Sequence, residues 1–237
     1  LNIATFLQPI KRILYEKYMY SDHLIENNDI KKYIANIKIS EIKYASEYEN
    51  LKSLAFYNLF FNTIFPKLPS KIESLLFYSQ IFNQPIDNLP NTLTSLTIIS
   101  SQFDQPINNL PLSLKSLTIK SDSFSQSFDQ LPKTLQSLNV NCWIFKHQFD
   151  NLPETLQSLT IKCNTFDFPL DKLPKGLKVL DIYSINGMSY PLDKLPNTLE
   201  TLSLTGDVFI KVNPDLNILP KSLKILQVRH EITKFDV

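Results

Sequence analysis

The chain has 237 residues, enough to bury a sizeable core, and its charges nearly cancel: 24 Lys and Arg against 23 Asp and Glu, a formal net charge of +1. That balance argues against a dedicated nucleic-acid binder, which normally carries a marked basic excess. Two cysteines cannot build a disulfide scaffold and point to a reducing compartment, and no apolar run approaches the roughly 20 residues that span a bilayer.

The first residues lack the apolar stretch and the small-residue cleavage site of a secretory signal, which leads us to expect a cytoplasmic protein. Ile3, Phe6, Leu7, Ile10, Ile13, Leu14 and Tyr18 recur at the spacing of one helical face, with Lys11, Arg12, Glu16 and Lys17 on the other. Pro9 marks a start or a bend of that helix. A second helix is expected from about Asp22 to Ile34. Residues 1–35 are read as a short helical N-terminal cap over the open end of a stack, since solenoids need polar-faced ends. The competing reading is the remnant of a helical adaptor domain lying mostly upstream.

From residue 36 to residue 237 the chain repeats itself. The stretch Phe82–Ile98, FNQPIDNLPNTLTSLTI, returns almost unchanged as FDQPINNLPLSLKSLTI over Phe103–Ile119. Leu-Pro pairs at 68–69, 89–90, 110–111, 131–132, 152–153, 173–174, 195–196 and 219–220 recur every 21 residues, stretching to 22 and 24 in the last two steps. A fixed period of this length is the mark of stacked units that bury their apolar faces against one another. After each Leu-Pro comes L-x-x-L-x-[I/V/L/F], for example Leu93/Leu96/Ile98 and Leu156/Leu159/Ile161. Its last two apolar members alternate with polar residues, the period of a half-buried strand. Leu51/Leu54/Phe56 fits the pattern without a preceding Leu-Pro, and Ile34/Ile37/Ile39 is a candidate first coil. Strands that all run one way and are joined by wraps of about fifteen residues form a parallel sheet. About 8–10 coils of about 21 residues are therefore expected.

Phe61, Phe82, Phe103, Phe124, Phe145, Phe166 and Phe209, with Met188 standing in for one, sit at constant register beyond the strands and read as an internal aromatic spine. A second apolar column follows at Phe65, Ile86, Ile107, Phe128, Phe149, Leu170, Leu192 and Leu216. The Leu of each Leu-Pro closes the convex side, and the Pro precedes the strand, where no ladder N–H is needed.

The line F-[N/D]-Q-P-I-[D/N]-N-L-P-x-[T/S]-L resembles the FNIP repeat, known from amoeboid protists and from large DNA viruses that infect them. The L-x-x-L-x-[I/L] portion followed by an aromatic resembles the leucine-rich repeat. The resemblance runs from Leu51 to Val228, with Ser127 and Gln148 replacing the Pro of the corner and insertions near Gly187 and Pro214. It implies a leucine-rich-repeat-like, right-handed solenoid with a parallel β-sheet on its concave face and an irregular convex side. FNIP repeats are commonly joined to an F-box, which implies the substrate-recognition part of a ubiquitin-ligase adaptor. Residues 1–33 lack the Leu-Pro-led helical motif that opens an F-box, so such a segment would lie upstream. A viral source would imply the host cytoplasm.

The outward strand positions form three columns, the usual binding surface of a solenoid. Two are rich in Ser and Thr, types that are also simply favourable in strands. The third, Tyr78, Ile99, Lys120, Asn141, Lys162, Tyr183, Thr205 and Arg229, carries the residue types that anchor interfaces. Tyr78, Lys120, Lys162, Tyr183 and Arg229 are the expected partner contacts. Cys142 and Cys163 share a column with Ser79, Ser100, Ser121 and Ser184 and read as small fillers of a tight exit from the strand. Asp87, Asn108, Asp129, Asp150, Asp171, Asp193 and Asn217 precede the Leu-Pro corners. They read as turn formers bonding their own backbone rather than as a calcium ladder, which would be Gly-rich. Trp143 replaces a mostly polar column, either exposed as a contact or buried in a widened coil. His23, His147 and His230 share no register with an acid or a thiol, and no nucleophile elbow, phosphate loop or metal motif is present. The expectation is a non-enzymatic scaffold for a protein partner, with no cofactor, metal, nucleic acid, membrane or small-molecule substrate.

Overall fold

The computed structural model describes residues 36–39, 50–65, 67–185, 188–206 and 216–229. Ten strands follow one another along the chain: β1 (Asn36–Ile39), β2 (Ser53–Tyr57), β3 (Ser74–Tyr78), β4 (Ser95–Ile99), β5 (Ser116–Lys120), β6 (Ser137–Cys142), β7 (Ser158–Cys163), β8 (Val179–Ser184), β9 (Thr201–Gly206) and β10 (Ile225–Arg229). They form one parallel sheet in strict sequence order, β1 to β10. The pairing is in register with the repeat, so that Leu75, Leu96, Leu117, Leu138, Leu159, Leu180 and Leu202 lie side by side. The fold is thus the parallel, leucine-rich-repeat-like solenoid that the period implies. The expected helical cap, residues 1–35, lies outside the described residues.

Alternation within each strand decides which side chains are buried. From β2 to β9 the even positions are inside and the odd ones outside. The aromatic column stacks as a spine: the rings of Phe82 and Phe103 are 5.9 Å apart and those of Phe103 and Phe124 6.2 Å, each pair within 4° of parallel. Met188 fills the same place in its coil and is fully buried. At the ends the core thins. Phe61 and Phe65 are only partly buried; Phe209 and the Leu216 side chain lie outside the described residues. Leu226 and Val228 occupy inward positions but are 39% and 43% exposed, because β10 is the last strand of the sheet and no described coil lies over it.

The Leu-Pro corner explains its own spacing. The Pro carbonyl accepts the N–H of the residue three further on, as in Leu93 N to Pro90 O at 3.0 Å and Leu156 N to Pro153 O at 3.0 Å. Proline lacks a donor but keeps this acceptor, and the turn delivers the Leu that begins the buried trio. The residue just before that Leu is usually Thr or Ser, and its hydroxyl reaches back to the preceding coil. Thr155 Oγ1 lies 2.7 and 2.8 Å from the carbonyl oxygens of Lys133 and Leu135, and Thr92, Thr134 and Thr198 repeat the contact. Ser113 and Ser222 make one such bond each. Only Gly176 interrupts this hydroxyl row among the described coils from Thr92 onward.

The F-[N/D]-Q corner is a second ladder. Asn62, Asn83 and Asp104 each accept, through a side-chain oxygen, the backbone N–H of the next coil's equivalent residue: Asn83, Asp104 and Ser125 at 2.9, 3.0 and 2.8 Å. Gln105 and Gln126 add a side-chain amide bond to the carbonyls of Asn83 and Asp104. In the coil after β6, Lys146 replaces the ladder residue, and His147 Nε2 makes the equivalent bond to Ser125 O at 2.6 Å. These polar bonds satisfy backbone groups that the irregular wrap would otherwise leave unpaired.

The Asx column sits in turns, as expected of it, but three of its carboxylates bond the next coil as well. Asp87 and Asp129 accept from the side-chain amides of Asn109 and Asn151, and Asp150 accepts from Lys172 at 2.7 Å, each partner lying in the following coil. Asp129 also accepts the Ser127 hydroxyl within its own turn, at 2.6 Å.

Candidate protein-interaction face

The candidate site is the outward face of the sheet, built by the odd strand positions. Successive strands lie about 4.8 Å apart, so the five steps from Tyr78 to Tyr183 span about 24 Å. The third column runs Tyr57, Tyr78, Ile99, Lys120, Asn141, Lys162, Tyr183, Thr205 and Arg229, with neighbours paired strand to strand.

Four of the five expected contact residues lie on this row with described side chains. Tyr78 is half-buried and its ring stacks on that of Tyr57 at 5.9 Å. Lys120 is exposed. Lys162 is exposed and 3.9 Å from Asp181, a surface pair of the kind that contributes roughly 0–1 kcal/mol. Tyr183 is half-buried beside it in the row. Arg229 continues the row across from Thr205, but its side chain is outside the described set. The row therefore grades from an aromatic and aliphatic end, Tyr57, Tyr78 and Ile99, to a lysine-bearing middle. Tyr57 was not among the expected contacts. Its signal lay in Leu51/Leu54/Phe56, a strand without the Leu-Pro that anchors the other coils.

Trp143 resolves in favour of exposure. β6 alternates to its end, with Asn141 outside and Cys142 inside, and Trp143 follows at a bend just past the strand, exposed. Its backbone still pairs with both neighbouring coils, Trp143 N donating to Asp122 O and Asn164 N donating to Trp143 O, both at 3.2 Å. The indole is 59% exposed and its neighbour Ile144 44%. The coil that carries it is the one with Lys146, His147 and Gln148 at its corner, so the local departure from the repeat coincides with the exposed tryptophan. Lys120 and Lys162 stand on the strands either side of Asn141, the outward residue of β6 nearest the indole.

Other polar columns are structural. Ser79, Ser100, Ser121 and Ser184 are buried, and each hydroxyl donates to a carbonyl 18 residues back, at 2.8–3.0 Å. Cys142 and Cys163 occupy the same tight position and are also buried. No group of three or more His, Cys, Asp or Glu among the described residues is placed to hold a metal ion. No described helix is long and apolar enough to cross a membrane. Where carboxylates shift, the cause is local. The Ser127 hydroxyl, then the Asn151 amide, holds the Asp129 carboxyl below its ordinary range, and the Lys224 ammonium at 2.6 Å does the same to Glu200.

A family model described as the FNIP Repeat matches residues 82–122. Among solved structures, one described as CroV588, a novel circular LRR protein structure, is similar at 23% identity and a TM-score of 0.48, covering 83% of this chain and 40% of that chain. The chain thus spans about two fifths of that protein's length. Curated proteins gave no match. Residues 82–122 are thus FNIP repeats, and the same period and strand register recur in the coils on either side of them.

Proposed function

We propose that the chain is a non-enzymatic protein-interaction scaffold of the cytoplasm that binds its partner on the outward strand face. The observation that carries this reading is Trp143: a tryptophan held 59% exposed where β6 ends at the margin of that face, in a fold that buries the stacked phenylalanine rings of its middle coils. Exposing an indole to water is unfavourable, and Trp is among the residues that most often dominate binding energy once a partner covers them. Ile144 enlarges the apolar patch, and Lys120 and Lys162 supply donors at its margin. The complementary partner presents an apolar side chain for the indole, flanked by carboxylates or carbonyls for the two ammonium groups.

Photo-crosslinking tests the reading. A photoreactive amino acid is placed at position 143 and, in a second protein, at position 112, where Leu112 is 78% exposed on a corner turn. Adducts with one partner from position 143 and not from 112 are expected. The same adducts from 112 alone would show that the partner binds elsewhere.

A further inference from the structure

The two cysteines of the chain share one structural position in adjacent coils. Cys142 ends β6 and Cys163 ends β7, and the register makes them direct Cα partners. Both side chains point inward and are buried, with 4% and 1% of their surface exposed. Neighbouring parallel strands lie about 4.8 Å apart, inside the roughly 4.4–6.8 Å that Cα atoms of a disulfide adopt.

The usual occupant of this column does a job that cysteine does poorly. In four other coils a serine hydroxyl bonds the carbonyl oxygen of Phe61, Phe82, Phe103 or Phe166. A thiol is a weak donor, and the one carbonyl the Cys163 thiol reaches is Trp143 O, at a long 3.5 Å. The cysteines thus replace a strong hydroxyl donor by a weak thiol one in the two coils where they face each other. Simple space-filling would have been served by serine.

The surroundings of the pair are also asymmetric. The Cys142 thiol hydrogen-bonds to the Cys163 sulfur, and the amides of Thr165 and Phe145 point to the same sulfur. The Thr165 hydroxyl also lies beside it, and finds no oxygen or nitrogen partner of its own among the described residues. These contacts favour the thiolate at Cys163, while burial and the shared proton hold Cys142 as the thiol.

We propose that Cys142 and Cys163 form a redox site that closes into a disulfide between β6 and β7. The Cys163 thiolate attacks a hydroperoxide, breaking its O–O bond and becoming a sulfenic acid as hydroxide or alkoxide leaves with a proton. The Cys142 sulfur then displaces the sulfenic hydroxyl, which leaves as water with the second thiol proton. In sum, two thiols lose two protons and two electrons to the peroxide, giving one disulfide, one water and one further water or alcohol. A dithiol reductant reverses the reaction. The bond fastens together the two coils that flank Trp143, the residue next to Cys142.

The chain contains a single tryptophan, so its fluorescence reports on this site, and a disulfide nearby quenches it. The full chain is treated, folded, with one equivalent of hydrogen peroxide, and free thiols, intact mass and fluorescence are followed. Expected are loss of both thiols, a mass decrease of two hydrogens, a Cys142–Cys163 peptide on digestion and quenched fluorescence, all restored by dithiothreitol. Cys142→Ser, which retains the column's ordinary residue, should show neither the mass decrease nor the quenching and should accumulate sulfenic or sulfinic acid at Cys163. Unreacted thiols in the wild-type chain, a disulfide only between two chains, or separate sulfinic acids at both cysteines would each overturn the proposal.

Discussion

Gly176 offers a direct measure of what the hydroxyl row contributes. Four other coils place Thr at this corner, each hydroxyl reaching carbonyl oxygens of the preceding coil at 2.6–2.9 Å. At Gly176 an added Cβ would meet Glu154 O at 3.5 Å, an ordinary contact, and nothing closer. Threonine there should therefore fit and donate to the carbonyls of Glu154 and Leu156, the equivalents of its partners elsewhere. Replacing Gly in a compatible conformation stabilises by about 0.4–1 kcal/mol through the unfolded chain. A hydroxyl with one proton, shared between two carbonyls, adds about 1 kcal/mol more. Gly176→Thr should then stabilise by about 1.5–2 kcal/mol, raising Tm by roughly 3–8 °C for a chain of this size. Thermal unfolding beside Gly176→Ala and Gly176→Val separates the parts. Alanine isolates the backbone term, and valine has the shape of threonine without its donor. If threonine and valine melted together, the hydroxyl row would not bind the coils as argued.

Other positions test other parts of the architecture. Phe103 stacks between Phe82 and Phe124 and is fully buried, so Phe103→Ala should cost about 3–5 kcal/mol in denaturant unfolding. Gly206 has a φ of +95°, and a Cβ there would lie 2.2 Å from Ser184 O; Gly206→Ala should cost more than about 2 kcal/mol. Asp129, its carboxyl held below the ordinary 3.8 by Ser127 and Asn151, contributes stability that is present above that value and lost as pH falls through the lowered one. Asp129→Asn should accordingly flatten the acid limb of a plot of Tm against pH measured from about pH 5 down to about pH 2.

What was legible in the sequence follows from what repeats. The strands from β2 to β10 could be placed because each apolar trio is tied to a period, and a one-residue slip would expose every inward Leu. β1 was harder, since Ile34, Ile37 and Ile39 have no Leu-Pro before them. The ladder of Asn62, Asn83 and Asp104 was hidden because its bonds join residues 21 apart in sequence, a separation that local turn rules do not consider. The Asx column does sit in turns, and the partners that Asp87, Asp129 and Asp150 find in the next coil were hidden for the same reason. Trp143 could be read either way, because exposure depends on how the altered corner at Lys146, His147 and Gln148 seats its coil. Leu226 and Val228 kept the pattern of core residues, but the pattern says nothing about whether another coil covers them.

The central functional claim is that the outward strand face holds the partner. The most direct measurement is the affinity of the crosslinked partner, once purified, for three folded proteins: wild type, Trp143→Ala, and Leu112→Ser on the corner turn. Loss of an interface tryptophan at a binding centre typically costs at least about 2 kcal/mol, so Trp143→Ala should raise Kd by about thirtyfold or more while Leu112→Ser leaves it unchanged. Wild-type affinity retained by Trp143→Ala, with a weakened Leu112→Ser, would contradict the account.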